Sequence, residues 1–235
     1  MLQESDHAVA LTGAGISTNS GIPDFRGEEG LWNRHDPMAV ASIDGLKEDP
    51  DRFYEFWVDR FSNLGEAEPN ETHRTLAALE EEGLLEAVIT QNIDGLHKAA
   101  GTSNLIEVHG SYKTSYCLSC GAESETRRVI EQFKQGGKPF CDECGGLLRP
   151  DVVLFGEDLP PSFSVAVEQV EKADMLVVLG SSLEVYPVAS LVPYFRNQGG
   201  RLVIVNLELT QFDSHADLVI RQDLQDFTEC FREII

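Results

Sequence analysis

At 235 residues the chain is long enough to bury a full core, as one domain or as a larger domain carrying a smaller one. Its 42% hydrophobic content excludes a disordered chain, and no apolar run approaches the roughly 20 residues that span a bilayer. A net charge of −22, from 40 acidic against 18 basic residues, argues against direct nucleic-acid binding, which needs a clustered positive surface. The same charge attracts basic partners such as Lys-rich protein segments, although it equally describes a solvated surface.

In chain order, Met1 to Asp6 carries neither a basic region nor an apolar core, so a secretory signal is not expected and a cytoplasmic location is. Residues 7–11 form a short apolar strand that runs into Thr12-Gly13-Ala14-Gly15. Further strands are predicted at 87–90, 106–109, 152–155, 175–180 and 202–206, with a possible edge at 218–220; their unbroken apolar character suits buried strands of a parallel sheet. Helices are predicted at 71–82, 164–172, 188–197 and 224–234. The alternation implies an α/β fold, a Rossmann-like doubly wound parallel sheet. Two excursions break it, one whose best helix is 50–61 and one that contains four cysteines. The expected division is a nucleotide-binding domain of residues 1–26, 71–111 and 151–235, with 27–70 and 112–150 packed together as a smaller inserted domain and a ligand cleft between the two.

Cys117-x-x-Cys120 and Cys141-x-x-Cys144 are separated by 20 residues. In a reducing compartment this spacing reads as a tetrahedral thiolate zinc site, ahead of two disulfides or a redox dithiol. Gly121, Gly145 and Gly146 supply the tight turns that aim each pair at one ion. With four thiolates no coordination position stays open, so the zinc is structural. Cys230, in the C-terminal helix, reads as a small packing residue.

Gly13-Ala14-Gly15-Ile16-Ser17 lets the backbone approach a pyrophosphate, but alone it is a weak signal, since Thr18 replaces the third glycine of a dinucleotide fingerprint. The continuation through Gly21-Ile-Pro-Asp-Phe-Arg-Gly27 is more specific, and four further blocks follow: Thr90-Gln-Asn-Ile-Asp-Gly-Leu-His97, Val108-His-Gly110, Arg149-Pro-Asp-Val-Val-Leu-Phe-Gly-Glu157 and Gly180-Ser-Ser-Leu-Glu-Val-Tyr-Pro187. Together these blocks resemble the sirtuin family over nearly the whole chain.

The resemblance implies an NAD-dependent protein lysine deacetylase. The acyl oxygen of a modified lysine attacks the anomeric carbon of NAD, nicotinamide leaves, and the products are free lysine and O-acetyl-ADP-ribose. His109, which by itself would more often be structural, becomes the base that deprotonates the ribose, with Asn92 beside it. Ala14, Thr18, Phe25 and Arg26 correspond to the NAD loop, where Arg26 meets phosphate and Phe25 shields the reacting sugar. Gln91, Asn92, Ile93 and Asp94 correspond to the ribose and nicotinamide pocket; Gly180, Ser181 and Ser182 to phosphate and ribose contacts; Asn206 and Leu207, with Asp223 and Leu224, to the adenosine end. Residues 153–157 and 183–186 resemble the two segments that clamp an acyl-lysine peptide by strand addition, with Val153 and Phe155 lining the acyl tunnel, although both also suit an ordinary core. His97 reads as structural, and His7, His35, His73 and His215 as surface or capping residues.

Family members that remove succinyl or malonyl groups carry Tyr-x-x-Arg on the first excursion. Trp57 and Arg60 stand there. The tyrosine is missing and Asp59 is adjacent, so Trp57 reads as packing and acetyl is favoured, with desuccinylation or demalonylation, or ADP-ribosyl transfer on the same fold, as alternatives. About six residues precede the first strand where the family usually has a helix, which is either shortened or trimmed. The expected partner is an acyl-lysine protein or peptide, not a nucleic acid or a membrane.

Overall fold

A computed structural model describes residues 1–229. A 3-10 turn at Leu2–Glu4 leads to strand β1 (Ala8–Thr12), every residue of which is buried. A seven-residue 3-10 helix, Ala14–Ser20, follows. The first excursion holds α1 (Pro37–Val40), α2 (Ile43–Glu48) and α3 (Pro50–Leu64). The chain returns through α4 (Glu71–Glu81), β2 (Ala87–Thr90), α5 (Leu96–Ala100) and β3 (Leu105–Glu107). The second excursion is β4 (Gly110–Cys117), β5 (Glu123–Glu125), α6 (Thr126–Lys134) and β6 (Leu148–Val152). The remainder is α7 (Ser162–Lys172), β7 (Met175–Leu179), α8 (Leu191–Asn197), β8 (Arg201–Val205), β9 (Leu218–Ile220) and α9 (Leu224–Glu229).

Six strands form one parallel sheet in the order β3-β2-β1-β7-β8-β9. The chain winds outward from β1 in one direction and from β7 in the other, so the carboxyl ends of these two neighbours make the switch point where such sheets open a crevice. The turns leaving them are packed backbone on backbone. A Cβ on Gly15 would lie 2.9 Å from Gly180 Cα, and one on Gly180 (φ +61°) would lie 2.5 Å from the Ile16 nitrogen. Glycine is required here by the contact of two turns, a reason distinct from approach to a pyrophosphate. The Gly15 amide donates to the Gly180 carbonyl at 2.8 Å and closes the contact.

Both faces of the sheet are covered by apolar clusters, one centred on Val9, Leu11, Ile89, Val178 and Ile204, the other on Ala10, Val88, Leu179 and Val205. A third core joins the two excursions, with Phe53, Tyr54, Trp57 and Phe61 of α3 against Cys117, Val129 and Leu148.

One predicted strand is displaced. Residues 152–155 do not enter the parallel sheet: β6 ends at Val152 and pairs antiparallel with β4 in a separate three-stranded sheet, β5-β4-β6. The strand β4 was not predicted, because Gly110-Ser-Tyr-Lys-Thr-Ser-Tyr-Cys117 is largely polar and buries few side chains. His109 accordingly lies between β3 and β4, two residues past the end of β3. Cys230 and the end of the predicted 224–234 helix lie outside the described residues. Among those described, no helix is long and apolar enough to cross a membrane.

Of the two places expected of it, surface or cap, His73 takes the cap. It caps α4, as its place after Asn70 allows, yet it is fully buried. Its ring meets that of His97 edge to face at 4.8 Å, and His97 is buried too. Burial depresses both pKa values, that of His97 to about 3. The folded chain therefore holds both rings neutral where the unfolded chain, with ordinary values near 6.5, protonates them. Their contribution to stability is complete above pH 6.5 and is lost as pH falls below it. Denaturant unfolding is expected to lose up to about 1.4 kcal/mol per pH unit per histidine between pH 6.5 and 5. The slope should flatten in His97→Gln; an unchanged slope in that variant would rule His97 out.

Candidate functional site

At the switch point a cleft of about 470 Å³ separates the sheet from the first excursion. Ala14, Thr18, Phe25 and Arg26 line it from the turn after β1, and Gln91, Asn92 and His109 from the ends of β2 and β3. Gly180, Ser181 and Ser182 line it after β7, Asn206 and Leu207 after β8, and Asp223 and Leu224 at the start of α9. Trp57, Val153 and Phe155 close it from the other side. A smaller chamber of about 100 Å³ shares Ala14, Phe25, Trp57, Gln91, Asn92, His109 and Val153 with the cleft and adds Ile93, Asp94 and Arg60. Every candidate residue outside the cysteines therefore lines the cleft or the chamber beside it.

Gln91 organises that space. Its carbonyl accepts from His109 Nδ1 at 3.0 Å; a carbonyl has no proton to give, so Nδ1 carries the hydrogen and Nε2 keeps its lone pair. Burial lowers the His109 pKa against the opposing pull of that hydrogen bond, which keeps the ring neutral at pH 7. The Gln91 side chain donates to Ser181 Oγ at 2.9 Å, linking the end of β2 to the turn after β7. Ser181 Oγ also accepts from the Leu183 amide, and the Leu183 carbonyl accepts from Gln211 at 2.6 Å.

Asn92 and Asp94 are tied through Ser17, a residue that sequence reasoning passed over although it stands in the glycine-rich turn. Asn92 Nδ2 donates to Ser17 Oγ at 3.0 Å, and Ser17 donates to Asp94 Oδ2 at 2.7 Å. Asp94 Oδ1 accepts from the Leu96 amide. Each carboxylate oxygen retains a second lone pair for a ligand. Beneath lies a buried chain: the Asn92 amide donates to Thr90 Oγ1, Thr12 donates to the same oxygen, and His97 Nε2 lies 3.0 Å from Thr12 Oγ1. His97 is structural, as expected, with a definite partner.

Elsewhere the candidates have partners of their own. Asp223 accepts from Asn19 and from the Gln225 amide, both at 2.8 Å, and Asn206 donates to the Glu208 carbonyl. Val153 and Phe155 are anchored by main-chain bonds to the carbonyls of His109 and Ala41. Buried Arg149 binds Glu157 at 2.6 Å, and Glu157 accepts from the Leu154 amide, so the 149–157 segment is folded on itself. Trp57 packs among Phe53, Phe56 and Phe61. Arg60 is buried, donates from Nη1 to the Pro23 carbonyl at 3.0 Å and lies 4.7 Å over the Phe25 ring. Burial lowers its pKa to about 10.

The four cysteines meet at one point, with all their sulfurs within 4.8 Å of one another, Cys117 and Cys144 at 3.4 Å and Cys120 and Cys141 at 3.8 Å. A disulfide needs about 2.05 Å, whereas a tetrahedron with metal–sulfur bonds of about 2.3 Å has edges near 3.8 Å. Gly121 and Gly145 both adopt φ +72°, and the Ser119 and Gly146 amides donate to Cys117 and Cys144 sulfurs. The donor set and its spacing fit one zinc ion with no open position.

Such a sheet, with a cleft at its switch point and a four-thiolate cluster in an inserted lobe, defines the nucleotide-binding α/β class with a structural zinc site. Within that class the comparisons are specific. The Sir2 family model matches residues 13–187. An NAD-dependent protein deacetylase of Caldivirga maquilingensis is 50% identical over 94% of this chain and 85% of its own, and one of Thermotoga maritima is 45% identical over 97% and 92%. A solved Sir2 complex with p53 peptide and NAD+ superposes with a TM-score of 0.91 at 43% identity, covering 99% of this chain and 95% of that one. A Sir2 variant with deacetylated p53 peptide and 3'-O-acetyl ADP ribose gives 0.96 at 43% identity and the same coverage. The chain belongs to the Sir2 family.

Metal analysis is expected to find one zinc per chain. Cys141→Ala should release it and lower stability by several kcal/mol, read as a fall in melting temperature that a chelator reproduces in the wild type. Full stability without metal would remove the zinc reading.

Proposed function

We propose that this chain is an NAD-dependent protein lysine deacetylase that releases nicotinamide and O-acetyl-ADP-ribose, with His109 as its base. The observation that carries the reading is the His109–Gln91 hydrogen bond: it presents a neutral imidazole with a free Nε2 lone pair in the cleft that the cofactor candidates line. The named activity of the Sir2 relatives supports it. Bound NAD supplies a glycosidic bond to nicotinamide and a ribose that takes up the acyl group. Ala14, Thr18, Phe25 and Arg26 would hold it on one side; Gly180, Ser181, Ser182, Asn206, Leu207, Asp223 and Leu224 would hold its phosphates and adenosine. Asn92, Ile93 and Asp94 would orient the nicotinamide end, and His109 Nε2 would take the proton of a ribose hydroxyl. Phe25, backed by Trp32 at 4.8 Å and by Arg60, would keep water out. An acyl-lysine peptide would lie between 153–157 and 183–186. Residues 27–70 and 112–150 act in this reading as one small domain facing residues 1–26, 71–111 and 151–229. A cytoplasmic setting suits four cysteines kept as thiolates.

Mass spectrometry of an acetyl-lysine peptide incubated with NAD should show loss of the acetyl group with formation of nicotinamide and O-acetyl-ADP-ribose. A mass gain on protein would point to ADP-ribosyl transfer. His109→Ala is expected to lower turnover by about 10²- to 10⁴-fold. The acid limb of the wild-type pH profile should lie below pH 6.5, since a base must be deprotonated to act and burial lowers its pKa.

One observation favours a second reading, removal of succinyl or malonyl groups. Trp57 Nε1 and Arg60 Nε are both buried donors without partners, and both residues line the small chamber beside Val153 and His109. An acyl group ending in a carboxylate would satisfy both donors. Arg60→Ala separates the readings: it lowers acetyl and succinyl turnover alike if Arg60 serves by supporting Phe25. It removes succinyl turnover selectively, by about 30-fold or more, if Arg60 binds the carboxylate.

A further inference from the structure

Arg26 and Glu184 form an ion pair across the mouth of the cleft, Nε to Oε2 at 2.9 Å. Arg26 ends the turn after β1, whereas Glu184 belongs to the 183–186 segment, so the pair joins the cofactor wall to the peptide wall. Their side chains are 28% and 60% exposed, which leaves both open to exchange partners. The backbone beneath Glu184 is fixed. Leu183 is buried and holds φ +56°, which side chains other than glycine rarely adopt, and both its amide and its carbonyl are hydrogen-bonded, to Ser181 and Gln211.

Charge around the cleft is one-sided. Among the described residues that line it, Arg26 is the sole arginine or lysine, while Asp24, Glu28, Glu157, Glu208 and Asp223 border it as acids. A phosphate entering this space has one cation to meet, and Glu184 already holds it.

We propose that Glu184 is a specificity residue that trades partners when substrates bind. Arg26 passes to an NAD phosphate, and Glu184 passes to a lysine or arginine side chain next to the acylated lysine. This rests on the deacetylase reading. Released into an acidic rim on a chain of net charge −22, the Glu184 carboxylate favours a cationic neighbour over a neutral one. A basic peptide that engages Glu184 also frees Arg26, so basic peptide and NAD assist each other's binding by the same factor.

The test measures the KM for NAD with two acetyl-lysine peptides that differ only in the flanking residue, arginine or glutamine. In the wild type the arginine peptide should give an NAD KM about three- to fivefold lower, a contrast that shrinks in about 0.5 M salt. Glu184→Gln should abolish the contrast by bringing the glutamine-peptide value down to the arginine-peptide value, while Glu184→Asp keeps part of it. Equal NAD KM values for the two peptides in the wild type, or an undiminished contrast in Glu184→Gln, would overturn the proposal. If the wild type deacetylates neither peptide, the deacetylase reading fails separately. Calorimetry of NAD alone then still decides on the ion pair: Glu184→Gln should bind about three- to fivefold more tightly, and equal affinity would overturn it.

Discussion

The contact on which the rest of the molecule depends is the one between the Gly13–Gly15 turn and Gly180. β1 and β7 are neighbours in the sheet, and the chain leaves them in opposite directions. Only because neither turn has a side chain at the contact can the Gly15 amide reach the Gly180 carbonyl. With those two turns in register, Gln91 reaches Ser181, and Ser17 is set facing Asn92 and Asp94. The cleft is thus defined by backbone approach before any reactive side chain is counted.

Beneath it the polar groups form nearly a closed ring. From Asn92 the hydrogen bonds pass through Thr90, Thr12 and His97; the ring of His97 abuts His73, which bonds Asn70, and Asn70 donates to the Ile16 carbonyl, one residue from Ser17. The members come from the ends of β1 and β2, from α5 and from the first turn of α4, and none is an exposed group. Desolvation of two histidines is a standing cost of this arrangement, offset by bonds that hold the reactive loop from below.

Much of this was legible in the sequence, for reasons that differ by feature. Six parallel strands announce themselves as apolar runs because both faces of the sheet are covered. The cysteines declare their centre by spacing and glycine turns. The loop residues around the cleft were legible through resemblance alone, since no periodicity marks Asn92 or Asp223. What escaped was non-local or polar: β4 is a strand by virtue of its pairing with β6, some 35 residues on, and 152–155 was assigned to the wrong sheet for the same reason. The burial of His73 follows from His97 lying opposite. Arg60 turns toward Pro23 and Phe25, a choice made by tertiary packing. Ser17, Gln211 and Glu184 have partners 77, 28 and 158 residues away, beyond any local pattern.

The strand β4 also works as a ruler. It begins immediately after His109 and ends on Cys117. Gly110 pairs with Val152 and Cys117 with Leu148, so β4, which bulges between Gly110 and Ser115, runs alongside four steps of β6, about 13 Å of extended chain. An ion held by all four thiolates would have no open position with which to bind a reacting group. Its contribution to turnover has to be mechanical: it clamps the far end of a beam whose near end abuts the histidine.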